Sequence, residues 1–141
     1  MSVVQKTVSL PQMPRGCHLI TDKLLKKIPE IGNFKCGLLN IFLQHTSASI
    51  TINENCCADV RRDLENWMNK VVPEGNQWEH SQEGADDMPA HAKSAMIGVS
   101  LNIPITDGRL ALGTWQGIYL NEHREHGGSR NVVLTITGMP K

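Results

Sequence analysis

The chain has 141 residues, 40% of them hydrophobic and only 4% aromatic, and its 14 basic and 14 acidic side chains leave no net charge. That length suits one domain, residues 1–141, burying roughly 70% of its unfolded surface over a core of Ile, Leu, Val and Met. No basic run exceeds two residues, which leaves nucleic-acid binding without the clustered charge that displaces counterions. No apolar stretch nears the ~20 residues that cross a bilayer, and the N-terminus lacks a signal-peptide pattern. The expectation is a cytoplasmic protein with neither nucleic-acid nor membrane partners.

Val4, Thr7 and Leu10 lie in a β-leaning run that Pro11 and Pro14 end. Thr21 or Asp22 can cap a short helix carrying Leu24, Leu25 and Ile28, with Pro29 closing it. Residues 36–52 are β-branched and apolar, too long for one strand, and predict a bend or turn near His45 to Ser49. Cys57, Val60, Leu64, Trp67, Met68 and Val71 recur at steps of three and four, which predicts a helix with one apolar face. Asn53 or Asn55 can cap it, and Pro73 stops it.

Asp86 and Asp87 precede Met88 and Pro89, the pattern of an N-cap followed by proline in the first turn, and Gly98 ends that helix. Strands are predicted at 99–105, 109–112, 115–120 and 131–137, with Asp107-Gly108 as a hairpin turn. Strands dominate and the helices do not alternate with them. This pattern predicts an α+β domain of largely antiparallel sheets in a sandwich-like arrangement with two or three helices.

The four cysteines form no CxxC pair. Cys56 and Cys57 are adjacent, and on a helix their side chains would point about 100° apart. Reduced, partly buried thiols are therefore expected, not a disulfide framework or a cysteine-rich zinc site.

Five of the six histidines fall in three polar segments: His45-Thr46-Ser47, His80 to His91, and Glu122 to Arg130. Imidazole titrates near neutrality and is the commonest metal ligand. His45 follows an apolar strand, where a site is readily mounted, although a buried histidine bonded to a carbonyl fits equally. Ser47 lacks the GxSxG turn of a hydrolase nucleophile. His91 is expected in the first turn of a helix, whose free amides favour a neutral imidazole. Glu79 and Glu83 read as loop charges, and Asp86 and Asp87 as a cap more than as ligands.

Gly127, Gly128 and Ser129 could form an amide nest for an anion, beside the planar fork of Arg130. They could equally form a plain turn. Gln116, in the unusual GTWQG segment, either points into the same cavity or faces water while Trp115 fills the core.

The segments RGCHLITD (15–22), LQHTSASITINENC (43–56), EHSQEGADDMPAH (79–91) and GTWQGIYLNEHREHGGSR (113–130) closely resemble the YjbQ-like family, also described as secondary thiamine-phosphate synthases. The resemblance covers essentially the full length. It implies a compact α+β subunit, a homotrimer, sites near subunit boundaries, a bound divalent metal (zinc before magnesium) and weak thiamine-phosphate synthase activity. The matching positions include His45, His80, His91, Gln116, Glu122 and Arg130, while His123 and His126 match one subgroup only.

Two functions follow as expectations. In the first, aminopyrimidine diphosphate is joined to thiazole phosphate and diphosphate leaves. His45, Glu122, Arg130 and Gln116 are then the catalytic candidates. Arg130, Gly127, Gly128 and Ser47 hold the phosphate-bearing substrate, and His45, His80 and His91 hold the metal. Three histidines favour zinc with an open position, which equally suits hydrolysis of a small substrate. In the second, the same pocket serves a non-catalytic, metal- or metabolite-binding trimer.

Overall fold

The computed structural model describes residues 1–141. Its strands are β1 (Ser2–Leu10), β2 (Gly16–Leu19), β3 (Phe34–Leu43), β4 (Ala48–Glu54), β5 (Ser100–Thr106), β6 (Arg109–Leu110), β7 (Gln116–Glu122) and β8 (Arg130–Pro140). The helices are α1 (Thr21–Lys27), α2 (Ala58–Val71) and α3 (Asp87–Ile97), and a 3-10 turn, Pro29–Asn33, follows α1. One sheet has the order β1-β8-β3-β5-β6 and the other β2-β7-β4. Every neighbouring pair is antiparallel. The protein is thus α+β, as the sequence pattern predicts.

Strand alternation explains the layering. Leu39, Ile41 and Leu43 of β3, Val132, Leu134 and Ile136 of β8, and Ile103 and Ile105 of β5 point inward from the larger sheet. They meet Ala48 and Ile50 of β4 and Ile118 and Leu120 of β7 in one core, which Leu24 and Ile28 close at the side. The other face of the small sheet presents Cys17 and Tyr119, which pack with Met68 of α2 and partly buried Leu64 and Ile97. The order of layers is large sheet, small sheet, helices. The outer face of the large sheet is bare.

The predicted break near His45 is a crossing between sheets. β3 belongs to the large sheet and β4 to the small one, so residues 44–47 span the rim of the sandwich. The predicted hairpin also forms: Asp107 and Gly108 both take left-handed φ values, 48° and 78°, joining β5 to β6. Strand β2 has no counterpart in the sequence reading. It is four residues long and flanked by Pro14 and α1, too short to show a period.

The caps differ from expectation. Thr21 Oγ1 accepts the Ile118 amide at 2.8 Å, tying α1 to β7 instead of capping it. Asn55 donates to the carbonyls of Thr114 and Gln116, and the amides at the start of α2 go to the Glu54 carboxylate. Cys56 and Cys57 therefore precede α2 and do not lie on it, and both are exposed, as is Cys36. The predicted apolar face of α2 is only partly used. Met68 is buried, but Trp67 and Val71 are exposed, because Arg15 and Lys93 reach Asn69 and make part of the inward surface polar. No helix is long and apolar enough to cross a membrane.

Candidate functional site

A cleft of about 720 Å³ opens where the rim segment meets α3. Phe42 to Thr46 form one wall, and Met88, His91, Ser94 and Ala95 of α3 form the other. His80 comes over from the loop before α3. Three groups separated in sequence thus converge because the β3–β4 crossing brings residues 44–47 against the start of α3.

The donors meet at Asp87. Its carboxylate is 1% exposed. Oδ1 accepts a hydrogen bond from Arg124 Nη1 at 2.6 Å. Oδ2 lies 2.8 Å from His80 Nε2 and 3.3 Å from His91 Nε2. One ligand atom from each of His80, Asp87 and His91 falls within 4.8 Å of the others. The other ring nitrogen of His91, Nδ1, donates to the Thr46 carbonyl at 2.7 Å.

That bond has a consequence. With its proton on Nδ1, neutral His91 turns a bare Nε2 lone pair toward a carboxylate oxygen. Two acceptors 3.3 Å apart repel unless a cation or a second imidazole proton sits between them. The donor set, two imidazoles and one carboxylate, is one that zinc and iron(II) accept. An imidazole fixed through its far nitrogen by a carbonyl is the usual support for a metal ligand. The residues present therefore fit a divalent transition metal.

His45 lines the same cleft but stands outside this group. Its Nε2 accepts the Asn131 amide at 2.8 Å, which places the proton of the neutral ring on Nδ1. Burial, and then the positive charge of Arg130, hold its pKa below the ordinary value, against the opposing pull of Glu122.

Arg130 and Glu122 are buried together. Arg130 Nε meets Glu122 Oε1 at 2.8 Å and Nη2 meets Oε2 at 2.5 Å. Nη2 also donates to the carbonyl and hydroxyl of Ser47, at 3.1 and 3.0 Å. The Arg124 amide takes the remaining side of Oε2 at 3.2 Å. The fork of Arg130 thus grips an anion, and that anion is the chain's own Glu122. Gly127 packs against this pair so closely that a Cβ there would lie 2.6 Å from Arg130 Nη2. Ser47 belongs to the same closed cluster.

Gln116 is not brought to the cleft. It sits at the far end of β7 from Glu122, accepts the Gly113 amide at 2.8 Å, and lines a separate groove with Thr21, Lys23 and Asn55. Trp115 beside it is exposed and does not fill the core. His126 is exposed as well.

Four features escape the sequence reading. Asp87 joins His80 and His91 at the cleft, while Asp86, at the N-cap position, makes no side-chain cap bond. The Asp86 carboxylate instead accepts Arg124 Nε and the Glu125 amide, at 3.0 and 2.8 Å. Burial tends to raise its pKa, but these bonds and the charge of Arg124 hold it low. Arg124 thereby locks the loop carrying Asp86 and Asp87 to the end of β7.

Behind the cleft, buried His123 meets Ser49 Oγ at 2.9 Å, and Asn121 donates to the same hydroxyl at 3.0 Å. Burial first, then the charges of Lys93, Arg15 and Arg130, push the His123 pKa down to about 3. Lys93, also buried, donates to Asn69 at 2.7 Å. Its inward position was legible: Pro89, Ala90, Lys93 and Ser94 recur on one helical face.

Fold and cleft together define a β-sandwich backed by helices, with an imidazole–carboxylate cluster at its rim. The chain belongs to the UPF0047 protein YjbQ-like family, whose model matches residues 6–139. It is 51% identical to the UPF0047 protein YjbQ of Escherichia coli O157:H7 over 134 residues, covering 95% of this chain and 97% of that one. Its identity to the Salmonella typhimurium protein of the same name is 52%, with the same coverage. Among solved structures, an uncharacterised YjbQ/UPF0047 family protein from Clostridium acetobutylicum superposes with a TM-score of 0.83 at 37% identity, covering 94% of this chain and 99% of that one. A YbjQ-like protein of unknown function from Sulfolobus solfataricus P2 gives 0.86 over 97% and 98%, and at 24% identity it shows the shared fold.

Proposed function

We propose that this protein is a small-molecule enzyme whose centre is a divalent metal, zinc before magnesium, held by His80, Asp87 and His91 in the rim cleft. The observation that carries the reading is the facing pair of acceptors, His91 Nε2 and Asp87 Oδ2, with His80 on the same oxygen. A bound cation would neutralise charge on a phosphate-bearing leaving group or lower the pKa of a water. The chain's own residues do the rest. Thr46 and Arg124 fix the ligands, and the cleft walls Phe42, Met88 and Ala95 give an apolar bed for a ring.

The reaction proposed is weak thiamine-phosphate synthesis, joining aminopyrimidine diphosphate to thiazole phosphate with release of diphosphate. Arg130 contributes by positioning the rim through Ser47 and Glu122, since its Nε and Nη2 are engaged there. His45, with Nδ1–H, is a hydrogen-bond donor at the cleft wall. The second reading is a zinc-dependent hydrolase of a small substrate, favoured by a ligand set of only three protein groups that leaves positions open. The third is a trimer that binds metal or metabolite without turnover.

The assembly proposed is a homotrimer. Its support is the bare face of the large sheet, where Val3, Leu38, Phe42 and Met139 are exposed. The strand register of β1, β8, β3 and β5 puts no charged side chain on that side. Phe42 belongs both to this face and to the cleft, so a neighbouring copy would wall the site.

Metal content after purification tests the centre. His80→Ala/His91→Ala is expected to hold one zinc-class ion per chain fewer than the wild type, and equal metal content in the two refutes the assignment. Product formation from the two thiamine precursors should stop with a chelator and return with zinc. Activity indifferent to both removes the metal from the reaction. Light scattering should give three chains per particle, and Phe42→Glu should dissociate them.

A further inference from the structure

A second group of metal-binding side chains lies at the start of α2, apart from the rim cleft. We propose that Cys56 and Cys57, with Glu54, form a thiolate site for a soft divalent cation of the zinc class. The two sulfurs and a Glu54 carboxylate oxygen lie within 4.8 Å of one another. Zinc–sulfur bonds of about 2.3 Å hold two thiolates roughly 4 Å apart, so small side-chain rotations bring both onto one ion. Thiolates select zinc, cadmium or copper(I) over magnesium or calcium.

The segment is built to hold that geometry. The Asn55 amide donates to the Trp115 carbonyl at 3.0 Å, and its side chain bridges the carbonyls of Thr114 and Gln116. Tyr119 Oη donates to the Glu54 carbonyl at 2.5 Å. The Cys56 and Cys57 amides both turn to the Glu54 carboxylate. The backbone is thus anchored on both sides of the cysteines while both residues stay exposed. Each thiol gives up its proton as its sulfur–metal bond forms, so one divalent ion displaces two protons to the buffer. The protein's helix position would otherwise splay the pair, and it is their place before α2 that brings the sulfurs together.

The test uses full-length, reduced, chelator-treated protein titrated with cadmium, read by the ultraviolet thiolate-to-cadmium charge-transfer band. The band should saturate at one ion per chain in His80→Ala/His91→Ala, at no more than two in the wild type, whose rim site takes an ion without a thiolate band, and vanish in Cys56→Ser/Cys57→Ser. A wild type without the band overturns the proposal. So does a double serine variant that keeps it, because Cys17 or Cys36 would then be the source. A second reading needs no variant: one equivalent of zinc beyond the rim site should protect Cys56 and Cys57, but not Cys36, from iodoacetamide. Equal alkylation of all three also overturns it.

Discussion

Asp87 and Glu122 are two buried carboxylates, each paired with an arginine, and they differ in what the second oxygen meets. Both Glu122 oxygens are spent, one on Arg130 Nε and the other on Arg130 Nη2 and the Arg124 amide. Asp87 spends only Oδ1 on Arg124, and Oδ2 turns to two imidazoles at the wall of an open cleft. A buried charge closed on all sides holds a fold together, whereas one left half open can hold a ligand. Sequence proximity does not distinguish them: both acids sit in short polar segments that carry two histidines each.

The largest effect should come from breaking the closed pair. Glu122→Ala strands the Arg130 guanidinium, 4% exposed, and losing one partner of a buried ion pair costs about 3–5 kcal/mol. Denaturant unfolding should show that loss. Glu122→Leu/Arg130→Met should recover most of it, because replacing both partners with apolar groups is often neutral. The contrast would collapse if the stable double variant no longer bound metal at His80 and His91, since Glu122 would then serve the cleft directly.

Asp87→Asn should act the other way round. The amide oxygen can still accept Arg124, so the metal-free protein should lose only about 1–3 kcal/mol. Metal affinity should fall by more than the roughly 10–100-fold that loss of an outer partner brings, because here a direct ligand changes. Calorimetric titration of zinc into the chelator-treated variant, made in a Cys56→Ser/Cys57→Ser background, reads this. Unchanged affinity would mean that the two imidazoles bind without Asp87.

These pairs mark how far the sequence could be read. The sandwich was legible because β3, β5, β7 and β8 alternate or run apolar over many residues, and Asp107-Gly108 punctuates them. His80 and His91 stood out by residue type, and the structure brings them into one cleft with His45. The role of Asp87 was hidden because an acid before Pro89 satisfies the cap pattern as well as the ligand pattern, and only the position of Arg124, 37 residues on, separates the two. Arg130 was read as a free anion fork because its partner, Glu122, lies eight residues upstream, across the glycine-bearing turn that joins β7 to β8. Cys56 and Cys57 were placed on a helix because the apolar period runs through Cys57, whereas Glu54 takes the amides there and delays the helix to Ala58.

The smallest effect extends the same contrast to the histidines. His91 is open to the cleft; His123 is closed behind it, with its pKa lowered from 6.5 to about 3 by burial and then by Lys93, Arg15 and Arg130. Below pH 6.5 the unfolded chain takes up a proton that the folded chain refuses. Stability from this group is complete above pH 6.5 and falls by about 1.4 kcal/mol per pH unit as the solution is acidified toward pH 3. His45, also lowered, adds loss of the same sign. The lowered carboxylate of Asp86 enters only at more acidic pH, where an ordinary aspartate protonates. Urea unfolding at pH 6.5 and 5.5 should therefore show a drop of about 1 kcal/mol from His123 alone, since the unfolded ring is already half protonated at pH 6.5, removed in His123→Gln, whose amide can still reach Ser49. An identical drop in that variant would mean that the ring is protonated in the fold, and His123 would then belong with the open groups.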